Sequence, residues 1–459
     1  MRQRWGRTSG AKLGAALLAI GLSMLAASAT HARAASAASR GAANSAAIAY
    51  VGVDNNIYYC AAACPKPECL TCPIEGEHVR RGARGAVVAA AYTESGEEQT
   101  AVSQYGWPTF SPDASRIAYS SVTRDKTRVS FAVWVYDLKR REATQIFESG
   151  TEHVDYIYWL PDNQHLSFLL REPAGLSLML AQAREHAPIR IVMTGVPMYF
   201  GWGPKPNQLA VHTAGSDPES SERVELVSLT DTSQTVDKVL SHGRSPFKTP
   251  CWSLDGKHLA WIANNHAEAN LVVAAADAQH PRSIVSLPIG DTSFEWSPDG
   301  RHIAYGTTVI PHDPEIHGIK LVDIGDASSR ILTRDSVAAY FFSPDGRYLA
   351  YIAVPENKPF YTWELIDLKS GKIRDLGDFI TTQEESVSYR FFDQLALSHS
   401  IWSPDSRAIV YAGVRLLAEP TRSLRAAPPP TVWSVPIDGG PPRAIGLGTV
   451  AYYAPVAAK

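Results

Sequence analysis

Four cysteines lie within thirteen residues, as Cys60-x3-Cys64-x4-Cys69-x2-Cys72, with Pro65, Pro67 and Pro73 interleaved. Thiols set this closely can pair as disulfides, ligate zinc as thiolates, or act as a redox dithiol. For an exported chain the expected reading is two local disulfides that pin a loop with little core of its own. Three pairings are possible, and spacing does not choose among them. A zinc knot is the alternative, although the spacing is shorter than the usual separation of two knuckles. Pro73 follows Cys72 directly, so Cys69-Leu-Thr-Cys72 is not a haem attachment motif. The fifth cysteine, Cys251, stands beside Trp252 and reads as a small buried apolar residue.

Other constellations carry less. His312-Asp-Pro-Glu-Ile-His317 places four possible ligands in six residues. Pro314 opposes a helix that would align the two imidazoles, so the segment reads as a solvated hairpin loop. There is no G-x-S-x-G for a nucleophile elbow and no Gly-rich phosphate loop after a strand. No catalytic residue, metal site or cofactor is therefore assigned.

The N-terminus defines a compartment. Arg2, Arg4, Arg7 and Lys12 precede an apolar stretch from Leu13 to about Ala29, and Ala32-Arg33-Ala34 fits a small-residue cleavage site. This order predicts a secretory signal peptide over residues 1–34, then an Ala/Ser/Gly tether over 35–46, with the fold in 47–459. An uncleaved membrane anchor is the alternative. The full chain has 459 residues and a formal charge of -3. Removing Arg2, Arg4, Arg7, Lys12 and Arg33 leaves the mature chain at -8, which disfavours nucleic acid as a partner. Periplasm or secretion is the expected location, with no membrane span after cleavage.

The elements that must carry these residues come from an internal repeat. It reads FSPDASRIAY from Phe110, WLPDNQHLSF from Trp159, WGPKPNQLAV from Trp202 and WSLDGKHLAW from Trp252. It continues as WSPDGRHIAY from Trp296, FSPDGRYLAY from Phe342 and WSPDSRAIVY from Trp402. Pro-Asp-Gly is turn chemistry, so the motif predicts two strands joined by a tight turn. The acids of these turns (Asp113, Asp162, Asp255, Asp299, Asp345, Asp405) are structural on this reading. A third strand is expected at 131–137, 223–229, 318–324, 362–368 and 431–437, and a fourth apolar run closes each unit. Four antiparallel strands per unit make one blade of an all-β propeller. Ile48-Ala49-Tyr50 matches a second strand and Tyr453-Ala454-Pro455 a first strand. The expected ring thus has eight four-stranded blades, closed by N- and C-terminal strands in one blade; seven blades is the alternative.

SPDG followed by IAY, repeated over residues 47–455, resembles the TolB-type propeller repeats of exported bacterial proteins. Similar repeats occur in prolyl-oligopeptidase-like peptidases and oligogalacturonate lyases. The resemblance implies the propeller and is nearly silent on activity. TolB's additional N-terminal α/β domain has no room in this chain, and neither has a hydrolase domain after the ring.

Connections between fourth and first strands, and between second and third, share one face, opposite the SPDG turns. The former carry Tyr105, His153, Tyr199, His242, Arg244, Lys248, Tyr389, Arg390 and His399. Aromatic, His and Arg groups on loops of a rigid scaffold suit a binding surface. The long segment Val414–Pro430 lies on the same face. The expected function is a non-enzymatic scaffold for an envelope protein or peptide, built as a monomeric ring. A lyase or hydrolase with a metal-assisted site at the axis is the alternative.

Overall fold

Each repeat motif folds as two strands around a turn, and the turn shows why its residues recur. Ser343 donates to the Asp345 carboxylate at 2.6 Å, which accepts the Arg347 amide at 3.0 Å; the Ser343 hydroxyl also accepts the Tyr348 amide at 2.9 Å. The same set forms at Ser111, Ser253, Ser297 and Ser403. Gly346 holds φ +69°, and Ala114, Asn163 and Ser406 take the same left-handed conformation in their turns. For those three the backbone costs roughly 1 kcal/mol each, offset by the hydrogen bonds of the turn. Burial opposes ionisation of Asp113, but bonds from Ser111, Ser115 and Asn163 outweigh it and hold its pKa at about 2. These acids are turn anchors.

The computed structural model describes residues 47–456, apart from 62–65, 73–89, 93–97, 101, 206, 215–221, 231–232, 243–247, 265–268, 289–291, 309–314 and 417–427. Residues 102–149, 153–195, 198–242 and 251–287 each form a four-stranded antiparallel meander. Beyond these, neighbouring sheets share long strands. Ser329–Phe342 pairs with Ile316–Asp323 through its first half and with Tyr348–Ala353 through its second. Arg443–Tyr453 likewise pairs first with Thr431–Pro436 and then with Ile48–Gly52, in the register Ile48↔Tyr453 and Val51↔Val450. The first described strand is therefore held between the last one and Ile57–Cys60. That pairing joins the first and last described strands in one sheet.

Burial grades along each sheet. In the second strand Tyr348–Ala353, Leu349 to Ile352 are fully buried, whereas the fourth strand Gln234–His242 is mostly exposed. First strands thus lie innermost and fourth strands at the rim. Two features depart from the sequence reading. A two-stranded ribbon joins Ala90–Tyr92 to Glu98–Thr100, and the first strand at Trp402 shrinks to a single bridge with Ile409.

The tryptophan at the recurring position links one sheet to the next. Trp159 donates to the Thr109 carbonyl at 3.1 Å, Trp296 to Cys251 at 3.1 Å and Trp402 to Phe341 at 3.2 Å. Trp202 reaches the preceding sheet through Ser167, and Trp252 bonds Ala276 of its own sheet. Each indole fills apolar space and satisfies a buried acceptor. Trp296→Phe keeps the ring but orphans the Cys251 carbonyl; it should lower stability by about 1–3 kcal/mol, read as a reduced urea midpoint with unchanged slope.

Candidate functional site

The step between the proline-equivalent positions 344 and 404 is the longest in the repeat series, and it contains an insert. Thr382 caps a helix, α1 (Gln383–Arg390), its hydroxyl accepting the Glu385 amide at 3.0 Å. The short helix α2 (Phe392–Leu395) follows at once. Thr382-x-x-Glu385 has the sequence of a capping box, yet Glu385 does not close it. Its carboxyl turns inward and accepts the Ala412 amide at 2.7 Å.

The insert meets the inner strand of sheet after sheet. Gln394 accepts the Phe200 amide at 2.9 Å and donates to the Phe200 carbonyl at 2.8 Å. Tyr156 donates to the Gln394 carbonyl at 3.1 Å, and Thr249 donates to the Gln394 side chain at 3.2 Å. Asp393 accepts the Thr249 amide, and Thr109 donates to the Ser398 carbonyl at 3.0 Å. Phe392 packs on Tyr340 with ring centroids 4.7 Å apart, Thr382 donates to the Thr449 carbonyl, and Ser388 bonds Tyr452 at 2.7 Å. A segment of under twenty residues reaches all of these strands only where they converge. The insert fills the axis.

Its interior is rich in aromatic contacts. Tyr389 stands edge-on to Trp363 and Phe379, and His399 lies 4.5 Å from the Tyr452 ring. Trp107 approaches the other edge of His399 from a backbone at φ +52°, a strained conformation for a bulky residue. Burial pushes the carboxyls of Glu385 and Glu295 up to about 8, against the bonds they accept from the Ala412 and Phe342 amides. Burial also takes the His399 imidazole down to about 3.

Ser398 and His399 form a hydroxyl–imidazole contact at 2.6 Å, with Tyr156 on the same hydroxyl at 2.6 Å. Burial lowers the basicity of this imidazole, and its buried Nε2 has no hydrogen-bond partner that would orient it toward the serine. Among the described residues no group of three or more His, Cys, Asp or Glu side chains is arranged to hold a metal ion.

Three residues expected on the surface are buried. Tyr105 sits in Val102–Phe110 against Tyr119, while Tyr389 and His399 belong to the insert's core. Tyr105 lies on a strand with its side chain turned inward, and Tyr389 and His399 sit in an insert whose short helices carry no long apolar period. His153 is exposed and held by Asp155 at 2.8 Å, which also accepts Arg171. His242 is exposed at a strand end, and half-buried Lys248 adjoins Thr249. Arg244 and Cys64 lie outside the described residues, as do 312–314 and 417–427. Cys69 and Cys72 are joined by a disulfide, so these two sulfurs are not zinc thiolates; Cys60 is disulfide-bonded as well. Cys251 is buried and free, its thiol pushed far up by burial.

What the structure does bring together is the outer ridge of α1 and its end. Val387 and Phe391, four residues apart, are 36% and 37% exposed, with Arg390 exposed between them. Tyr199 stacks toward Phe391 at 6.4 Å. Tyr199 and Arg390 were legible as candidates; Val387 and Phe391 were not, because their exposure depends on which helix face the axis takes.

A solved prolyl endopeptidase structure is similar at a TM-score of 0.50, with 12% identity, covering 76% of this chain and 50% of that one. The fold is a β-propeller. An oligogalacturonate lyase in complex with manganese matches at a TM-score of 0.46 and 14% identity, over 74% of this chain and 93% of the other. TolB from Acinetobacter baumannii matches at 0.38 and 16%, over 74% and 83%. In sequence, dipeptidyl-peptidase 5 of Porphyromonas endodontalis is 27% identical over 97 residues, 21% of this chain. The match spans only 14% of that relative's length. No protein-family profile matches the chain.

The buried acids make a pH prediction. An unfolded glutamate titrates at 4.5, whereas folded Glu385 stays protonated up to about pH 8. The folded state therefore binds the extra proton between these values, and stability falls as pH rises through that window. Glu385→Gln should be as stable as the parent at pH 5 and more stable at pH 9 by at least about 1 kcal/mol, measured by urea unfolding.

Proposed function

We propose that this chain is an exported, non-enzymatic propeller of the TolB type that binds an envelope protein or peptide through the outer face of its axial insert. The filled axis carries the reading. A propeller enzyme with an axial site needs open space there; here Gln394 and Glu385 bond the surrounding strands and Phe392 packs on Tyr340. The outward side of the same insert offers an apolar pair, a cation and a neighbouring tyrosine, the residue types that anchor protein interfaces.

The sheet order, with strands shared between neighbours, supports a ring of eight blades, the closing one built from both ends of 47–459. Residues 1–34 act as the signal peptide and 35–46 as a tether, which places the ring in the periplasm or outside the cell. The disulfide agrees with an oxidising compartment. Among the described residues no helix is long and apolar enough to cross a membrane. The working unit is a monomeric ring without cofactor, and its negative charge disfavours nucleic acid.

A photo-crosslinking residue placed at Val387, in cells expressing the full chain, tests this reading. One discrete envelope-protein adduct is expected, weakened about tenfold or more by Phe391→Asp with Arg390→Glu. Leu254→Asp, 80% exposed in an SPDG-type turn on the opposite face, should leave it intact. An adduct indifferent to the ridge substitutions, or turnover of a polysaccharide by the purified chain, would overturn the proposal.

A further inference from the structure

The Cys69–Cys72 disulfide closes a loop of only four residues, at the outermost strand of the sheet that joins the two chain ends. So short a loop removes little entropy from the unfolded chain, so what the bond does must be sought in the native contacts it fixes. The two residues it encloses are the buried ones. Leu70 belongs to an apolar cluster that also holds Tyr105, Phe110 and Ala114 of the next sheet, and its amide donates to the Ile57 carbonyl at 2.8 Å. The Thr71 hydroxyl accepts the Ile57 amide at 2.9 Å and donates to Asn56 at 3.0 Å. Ile57 is thus bonded at both its amide and its carbonyl by the enclosed pair.

The cysteines themselves are half-exposed, while Leu70 and Thr71 between them are buried. Beside the bond, the Tyr58 hydroxyl lies 3.8 Å from the Cys72 sulfur and donates to Asp54 at 2.8 Å. Glu68, on the same two-residue strand, is paired with Arg141 of the next sheet. A disulfide between two partly exposed cysteines therefore flanks an apolar residue in the seam, the cluster shared by the closing sheet and its neighbour.

We propose that Cys69–Cys72 is a redox-sensitive latch on this seam, opened by an exported dithiol reductant and closed again by a disulfide oxidant. In opening, a thiolate of the dithiol bonds to the Cys72 sulfur, the S–S bond breaks, and its electron pair leaves on Cys69, which takes up a proton. The second thiolate of the reductant then displaces Cys72, whose sulfur is protonated beside the Tyr58 oxygen. The protein gains two electrons and two protons, and the dithiol departs as a disulfide. Leu70 and Thr71 are then free to leave Ile57, while the ring's inner strands keep their pairing.

Full-length protein treated with dithiothreitol under native conditions, alkylated and mapped by mass spectrometry, provides the test. Cys69 and Cys72 should become alkylated while the tryptophan fluorescence of the ring is unchanged. Amide hydrogen exchange at Ile57 and Leu70 should rise about tenfold or more, with Phe200 and Ala412 unaffected. The double variant Cys69→Ser, Cys72→Ser should show the same rise without reductant. A bridge that yields only when the whole ring unfolds would overturn the proposal, as would reduction that leaves exchange at Ile57 and Leu70 unchanged.

Discussion

The side-chain amide of Gln394 bonds both polar groups of the Phe200 backbone, as a paired strand would. This bond states the constraint on which the molecule depends. First strands of a propeller converge on an axis where their inner edges have no further strand to pair with, and a buried unpaired amide or carbonyl costs about 1–3 kcal/mol. The ring must therefore either hold water at its centre or bring in side chains and backbone that complete those bonds. Here the chain supplies its own partner: Asp393 and Glu385 likewise accept the Thr249 and Ala412 amides, and the Ser398 carbonyl accepts the Thr109 hydroxyl.

Filling the axis changes the chemistry available there. The carboxyls of Glu385 and Glu295 are held neutral by burial, and the His399 imidazole is held unprotonated by the same cause. These are the protonation states that burial in a packed interior favours at neutral pH.

The ring was legible because its signals are local and repeated. Ser-Pro-Asp-Gly encodes a turn by hydrogen bonds within six residues, and the recurring tryptophan encodes contact with the neighbouring sheet. The third strands expected at 223–229 and 431–437 fall at Arg223–Leu229 and Thr431–Pro436. The candidate site was legible only in part. Tyr199 and Arg390 stood out by residue type, but Tyr105, Tyr389 and His399 did too, and burial separates the two groups. In the sequence the insert shows only as added length between positions 344 and 404, which the repeat reading leaves as a connection. Its place at the axis rests on contacts from Thr109 to Tyr452, hundreds of residues apart, and no periodicity within the insert encodes them.

The central claim is that residues 383–399 are part of the ring's core. Hydrogen exchange of the native full-length chain, followed by mass spectrometry on peptides from this segment, measures it directly. Protection matching that of the inner strands Met198–Trp202 and Ala408–Arg415 is the predicted result. Exchange as fast as an exposed loop, while those strands stay protected, would contradict the account.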